Sequence, residues 1–203
     1  MLREIAIANR LFGGRRTAWR GLLRFVDGAT TELALLDIGT GAGDLPHDLT
    51  RRAARRGIAL HPIGLERIPA AARLAHASGL ATMLACGATL PLADRSVDVV
   101  LLSQLVHHLD DASAIRMLAE ATRVARRGVI VADLRPSAAS GWAYRAAGRV
   151  LGFHRATIDD GVVSLGRGRD AETLVPLALA AGGRAVQGTD LPLARVLVTW
   201  ETA

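Results

Sequence analysis

The sequence predicts an α/β fold with a doubly wound, mostly parallel seven-stranded sheet and a C-terminal antiparallel hairpin. Strand-length apolar segments alternate with helical segments between residues 33 and 134, which is typical of a parallel sheet. The strand segments are continuous apolar runs, as expected when helices cover both faces of the sheet. A glycine-rich turn at residues 39–43 joins the first strand to the helix that follows it.

The elements can be assigned in chain order. Residues 2–26 have apolar side chains at helical spacing, and Gly13 and Gly14 divide them into two helices, so residues 1–28 are predicted to form a helical cap. Pro62 predicts an edge position or an irregular course for the second strand. The predicted strands span residues 33–38, 58–65, 81–86, 97–103, 129–134, 184–188 and 194–200. The predicted helices span residues 45–56, 69–77, 110–127 and 170–181, and a glycine follows each within two residues.

Residues 137–169 have the least regular pattern in the chain. They are rich in Gly, Ala and Arg and lie between the fifth strand and the last helix. No repeat and no low-complexity linker divides the sequence, and 203 residues suit one hydrophobic core. We therefore predict a single domain over residues 1–203.

The charge composition argues against a nucleic-acid partner. A net charge of +6 would suit nucleic acid. However, the chain contains no lysine, and its arginines are scattered among acidic residues, which indicates a compositional bias rather than a binding surface. Only seven residues are Phe, Trp or Tyr, which is poor material for stacking on bases.

The remaining composition predicts a cytoplasmic protein. Cys86 is the only cysteine, so a disulfide within the chain is excluded, and we expect this side chain to be a small core residue at a strand end. No apolar run approaches the ~18 residues of a membrane span. Arginines interrupt the N-terminal segment, which argues against a secretory signal.

The glycine-rich turn carries the clearest functional signal. Asp37, Gly39, Gly41 and Gly43 form the pattern D-x-G-x-G-x-G between a strand and a helix. Glycine allows the backbone to turn sharply and to approach a ligand closely. The following helix directs free N–H groups and the positive end of its dipole at that ligand. The spacing differs from the G-x-G-x-x-G pattern of nicotinamide sites.

This turn resembles the nucleotide-binding motif of class I S-adenosylmethionine-dependent methyltransferases, which have a Rossmann-like fold. Three further segments resemble that family in the right order: Glu66 at the end of the second strand, residues 86–100, and residues 103–109 after the fourth strand. The likeness runs from about Leu33 to the C-terminus. The chain is similar to the small-molecule branch that includes quinone-biosynthesis and polyketide-tailoring enzymes.

The resemblance implies S-adenosylmethionine as the cofactor. Glu66 corresponds to the family's acid that grips both ribose hydroxyls. Gly87 replaces the family's aspartate before Ala88, which implies that cofactor binding is weaker by about tenfold. The predicted cofactor-binding residues are Asp37, Gly39, Thr40, Gly41, Gly43, Glu66, Arg67, Gly87, Ala88, Ser103 and Gln104.

His107 and His108 are the candidate catalytic residues. A histidine suits a general base that removes a phenol or hydroxyl proton, because its pKa lies near neutrality. The alternative is that one ring packs inward and the other lines the pocket passively. The pair has no acidic or cysteine partner at ligand spacing, so no metal site is predicted.

The predicted acceptor is a small molecule, such as a phenolic or quinone-like metabolite. Its pocket should lie at the carboxyl ends of strands four and five, under the helical cap and the 137–169 segment, which we predict to be an acceptor-site insertion. Further residues that could line or cover it are Asn9, Arg10, Phe12, Arg15, Trp19, Asp133, Arg135, Arg155, Asp159 and Asp160; packing or surface roles are their alternative. Two other functions stay open: an NAD(P)-dependent oxidoreductase and a non-catalytic, methyltransferase-like binding subunit.

Overall fold

The computed structural model describes residues 2–202, which form a seven-stranded sheet flanked by helices. Met1 and Ala203, the ends of the predicted domain, lie outside the described residues. The strands are β1 (Glu32–Ile38), β2 (Ala59–Glu66), β3 (Ala81–Leu84), β4 (Val97–Ser103), β5 (Ala125–Leu134), β6 (Arg184–Leu191) and β7 (Arg195–Glu201). Their order is β3-β2-β1-β4-β5-β7-β6. The first five are parallel, and β7 runs antiparallel to both β5 and β6, which confirms the predicted fold class.

Eight α-helices connect and cover the described strands. They are α1 (Leu2–Leu11), α2 (Gly14–Leu22), α3 (Asp44–Ala54), α4 (Pro69–Ala77), α5 (Asp111–Val124), α6 (Ala138–Val150), α7 (Arg155–Arg167) and α8 (Ala171–Ala180). Gly13, at a φ of 84°, separates α1 from α2 at the predicted break. No helix within residues 2–202 is long and apolar enough to cross a membrane.

The core lies in two layers, one on each face of the sheet. Alternate residues of a strand point to opposite faces, so Leu36 and Ile38 pack with α5 and α8, whereas Leu33 and Leu35 pack with α2 and α3. Trp200 is the largest fully buried side chain. Burial on both faces explains why the strands are continuous apolar runs. A ligand site can therefore form only where the strands end, beyond the helices that cover the faces.

Residues 137–169 are more regular than their sequence indicates, because they form α6 and α7. The Ser137 side chain accepts a hydrogen bond from Ser140 N and starts α6. Gly152, at a φ of 70°, follows the end of that helix. The two helices pack against one another, and Gly148 is the buried residue of α6. A helix that buries so few apolar side chains lacks the periodic apolar stripe that sequence analysis detects.

The helix predicted at residues 110–127 ends earlier, at Val124, and β5 begins at Ala125. Gly128 therefore does not stop a helix. A Cβ at Gly128 would lie 2.2 Å from the Trp200 carbonyl oxygen and 2.3 Å from the Phe25 ring. Glycine is needed there because two neighbouring segments approach the strand closely.

Two expectations about single residues change. Pro62 lies in β2, which is an inner strand between β3 and β1. Pairing with β3 begins only at Ile63, so Pro62 has no neighbouring strand on that side. The missing N–H of Pro62 therefore costs no hydrogen bond to β3. Cys86 was expected in the core, and that expectation is wrong: β3 ends at Leu84 and the Cys86 side chain is exposed.

Candidate active site

The turn after β1 has the geometry of a ligand-binding loop. Gly39, Gly41 and Gly43 all have positive φ angles, of 76°, 60° and 82°, which other residues adopt only with strain. A Cβ at Gly41 would meet no atom within 4 Å, so the backbone faces open space there. Gly43 caps α3 without a side-chain hydrogen bond, which leaves helix N–H groups for a ligand.

Two buried polar side chains lie beneath this loop. Asp37 is 2% exposed, and burial raises the pKa of its carboxyl to about 7, with the Asp44 and Glu66 carboxylates acting in the same direction. The Thr40 hydroxyl lies beside this carboxyl but makes no hydrogen bond of ordinary geometry with a described residue. A buried hydroxyl without a partner is costly, so this position suits a ligand group.

Glu66 joins the end of β2 to the glycine loop. Its Oε2 accepts a hydrogen bond from Gly41 N at 3.0 Å, and its Oε1 accepts from Arg67 N and Ile68 N at 2.8 and 2.9 Å. The Arg67 side chain is exposed. The carboxylate thus lies next to the loop, where a ribose ligand is predicted.

The surroundings of Gly87 do not favour its interpretation as a missing adenine contact. Gly87 is buried, and a Cβ there would lie 2.8 Å from Ile38 Cγ2 and 3.2 Å from Met117 Cε. A side chain at this position would project into the core rather than towards solvent. The neighbouring Cys86 has the exposed side chain, and Ala88 is half-buried. The absence of a carboxylate at Gly87 therefore does not by itself predict weak cofactor binding.

A cavity of about 310 Å³ opens beside the glycine loop. Of the predicted site residues, it brings together Asp37, Gly39, Thr40, Gly41, Ser103, Gln104, His107 and His108. Gly43, Glu66, Arg67, Gly87 and Ala88 do not line it. Gln104 has a φ of 51°, and its side-chain amide donates to Asn9 Oδ1, which links the end of β4 to α1.

His107 and Asp133 form a buried pair at the wall of the cavity. The side chain of each is 2% exposed, and His107 Nδ1 lies 2.6 Å from Asp133 Oδ1. Asp133 also accepts backbone N–H groups from Val106, His107 and Leu134 at 2.8, 3.2 and 2.8 Å. Burial would raise the pKa of Asp133, but the hydrogen bonds outweigh it and hold this pKa below its usual value.

The pairing leaves the other ring nitrogen of His107 free. An ionised Asp133 accepts a hydrogen bond from Nδ1–H, so the neutral ring keeps the Nε2 lone pair available. That nitrogen is buried and has no hydrogen-bond partner among the described residues. The arrangement can take a proton from a molecule in the cavity and stabilise the resulting imidazolium.

Comparison with known proteins agrees with the loop and its surroundings. The family model described as "Methyltransferase domain" matches residues 36–132, which contain the glycine loop, Glu66 and the histidine pair. The match spans just under half of the chain, and over these residues the chain is similar to class I S-adenosylmethionine-dependent methyltransferases. None of the curated proteins matches this chain.

Solved structures show the same fold. Human N-acetylserotonin methyltransferase is 14% identical with a TM-score of 0.69, and the match covers 100% of this chain and 55% of that one. The pyocyanin biosynthetic protein PhzM is 21% identical with a TM-score of 0.61, over 93% of this chain and 55% of that one. The chain thus spans about half the length of both. A methyltransferase from Aquifex aeolicus is 16% identical with a TM-score of 0.65, over 100% and 99% of the two chains.

Only some of the residues predicted to line or cover the acceptor pocket lie at the cavity. Asn9, Phe12 and Asp160 line the cavity, whereas Arg10, Trp19 and Arg135 do not. Arg15 pairs with Asp44 and Asp48 at 3.1 and 3.5 Å, and the Arg56 guanidinium lies over the Trp19 ring. Arg155 and Asp159 form an exposed ion pair on α7. The described residues contain no group of three or more His, Cys, Asp or Glu that could hold a metal ion.

Two further residues, Tyr144 on α6 and Arg195 on β7, line the cavity and were not predicted from the sequence. Tyr144 packs against Phe12 with ring centroids 5.3 Å apart. Arg195 is 4% exposed. A signal for Arg195 was present, because it is a charged residue directly before the apolar run Val196–Val198 of a predicted strand.

Proposed function

We propose that this protein transfers the methyl group of S-adenosylmethionine to a hydroxyl oxygen of a small-molecule acceptor, with His107 as the general base. The acceptor is a phenolic or quinone-like metabolite. The observation that carries the proposal is the buried Nε2 of His107, which lacks a partner in a cavity that also contains the glycine loop. A binding subunit without chemistry would have no use for such an oriented base.

The residues around the loop suit the cofactor. Gly39, Thr40 and Gly41 would receive its methionine part, with the Thr40 hydroxyl and the first N–H groups of α3 as donors. Glu66 would accept hydrogen bonds from the ribose hydroxyls in place of those it now accepts from backbone N–H groups. Arg67, Gly87 and Ala88 would border the adenine. Ser103 and Gln104, which follow β4, would flank the methyl group. When bound, the cofactor supplies an electrophilic methyl group on a sulfonium.

The chain's own contribution is alignment and proton removal. Methyl transfer is an in-line displacement, so holding the acceptor oxygen opposite the sulfur supplies much of the rate. His107 Nε2 takes the hydroxyl proton as the oxygen attacks, and Asp133 stabilises the protonated ring. The apolar side chains of the cavity exclude water from the reacting oxygen.

Other observations support a small acceptor in the cytoplasm. The cavity is of a size that holds a small molecule rather than a polymer. Two of the similar structures are named for N-acetylserotonin methylation and pyocyanin biosynthesis. The exposed Cys86 would remain a thiol in a reducing compartment.

The test is a methyl-transfer assay with labelled S-adenosylmethionine and a panel of phenols and hydroquinones. His107→Gln should lower kcat by about 10²- to 10⁴-fold, because general-base catalysis contributes about that much. S-adenosylhomocysteine should bind the variant as it binds the wild type. His61→Gln is the matched control, because His61 is exposed and pairs with Glu32 on the surface of β2.

Full activity in His107→Gln would refute the base assignment. A large loss in His108→Gln with none in His107→Gln would transfer the role to the neighbouring ring, whose centroid lies 4.0 Å away. His108 is the more exposed of the two, and partial burial lowers its pKa.

A further inference from the structure

Arg195 is a buried cation without a carboxylate partner. It lies at the start of β7, opposite Leu134 of β5, and it lines the cavity. Its Nε donates to the Phe12 carbonyl oxygen at 2.7 Å. Its Nη1 is buried and has no hydrogen-bond partner among the described residues. None of the ion pairs formed within residues 2–202 includes it.

Neither of the acidic side chains near Arg195 forms an ion pair with its guanidinium group. Asp133 acts on it through space, but the Asp133 oxygens are already bound by His107 and backbone N–H groups. Asp160 also lines the cavity but is exposed. Burial lowers the pKa of Arg195 to about 10, so the side chain is still charged at neutral pH. An unpaired buried charge destabilises the protein, and an anionic ligand would offset that cost.

We propose that the acceptor carries both a carboxylate and a hydroxyl group. The carboxylate pairs with Arg195, and the hydroxyl group faces His107. This inference rests on the proposed function and narrows the acceptor class. Planar guanidinium groups favour carboxylates because two parallel N–H···O bonds can form. In the filled site, Nη1 donates to the carboxylate.

The rest of the cavity indicates that the carboxylate is attached to an aromatic ring. Phe12 and Tyr144 form a tilted aromatic pair in the wall, at an interplanar angle of 60°. Leu134 and Leu165 add apolar surface, and Arg195 holds the Phe12 backbone in place. Aromatic walls favour a flat aromatic guest. A hydroxylated aromatic carboxylic acid would use the base, the cation and the aromatic wall together.

Calorimetry on the protein saturated with S-adenosylhomocysteine tests this inference. The probes are 4-hydroxybenzoate and 3,4-dihydroxybenzoate, each compared with its uncharged amide. The acids should bind the wild type about tenfold or more tightly than the amides. Arg195→Gln should abolish that preference, and Arg195→Lys should retain part of it. Arg135→Gln is the matched control, since Arg135 is a neighbouring arginine outside the cavity.

Three results would overturn the inference: no acid binds more tightly than its amide, Arg195→Gln weakens acid and amide alike, or it weakens only S-adenosylhomocysteine. The last result would mean that Arg195 binds the carboxylate of the methyl donor. The wild-type comparison of acid with amide stands even if Arg195→Gln fails to fold. If S-adenosylhomocysteine itself does not bind the wild type, the proposed function fails instead.

Discussion

At the scale of single residues, two buried aspartates at one edge of the sheet differ in their pKa values. Burial raises the pKa of Asp37 to about 7, because few donors compensate for the loss of water. Asp133 is equally buried, but His107 and three backbone N–H groups lower its pKa despite that burial. The two carboxyl groups are buried to the same extent, so the difference between their pKa values follows from the number of hydrogen bonds that each one accepts.

The raised pKa of Asp37 predicts a pH-dependent stability. The folded protein keeps the Asp37 proton up to about pH 7, whereas the unfolded chain loses it near pH 4. The contribution of Asp37 to stability is therefore lost as the pH rises from about 4 to 7. Asp37→Asn removes this dependence, so its Tm relative to wild type should be higher at pH 8 than at pH 5. Thermal unfolding of the ligand-free proteins measures it, and an equal difference at both pH values would be inconsistent with the raised pKa.

Residue roles were only partly predictable from the sequence. The glycine loop and His107 could be found because a local pattern marks them. The partner of His107 could not, since Asp133 lies 26 residues further along the chain and meets it only when β4 and β5 pair. The burial of Gly87 depends on Ile38 and Met117, which belong to two other elements.

At the scale of elements, the strands were more predictable than the helices that cover the cavity. Strands buried on both faces must be apolar along their whole length, so their sequences show them. In contrast, α6 and α7 pack mainly on one another, and glycines replace the apolar side chains that would reveal their contact. A Cβ at Gly161 of α7 would lie 2.2 Å from Cε1 of Tyr144.

This contact predicts opposite effects for two glycines of one helix. Gly161→Ala should displace the Tyr144 ring and destabilise the protein by about 1–3 kcal/mol, as overpacking does. A Cβ at Gly166 would meet no atom within 4 Å. Gly166→Ala should therefore stabilise the protein by about 0.5–1 kcal/mol, since alanine is the better helix former. Denaturant unfolding of both variants measures the difference. Equal effects would mean that α6 and α7 do not pack through Gly161.

At the scale of the whole molecule, the strand order assembles the site. Parallel strands β1, β4 and β5 end at one edge of the sheet, where Asp37, Ser103 and Asp133 lie. Because β7 is antiparallel, its first residue, Arg195, lies at that same edge. Arg195 could not be predicted as a cavity residue from the pattern used for parallel strands, because it lies at the beginning of a reversed strand and not at the end of a parallel one.

Ligand-dependent thermal unfolding tests the proposal that the loop after β1 binds S-adenosylmethionine. S-adenosylhomocysteine should raise the Tm in a concentration-dependent way, with about 2.7 kcal/mol of added stability at one hundred times its Kd. NAD at the same concentration should leave the Tm unchanged. The loop does not bind the methyl donor if millimolar S-adenosylhomocysteine gives no stabilisation, or if NAD stabilises the protein equally.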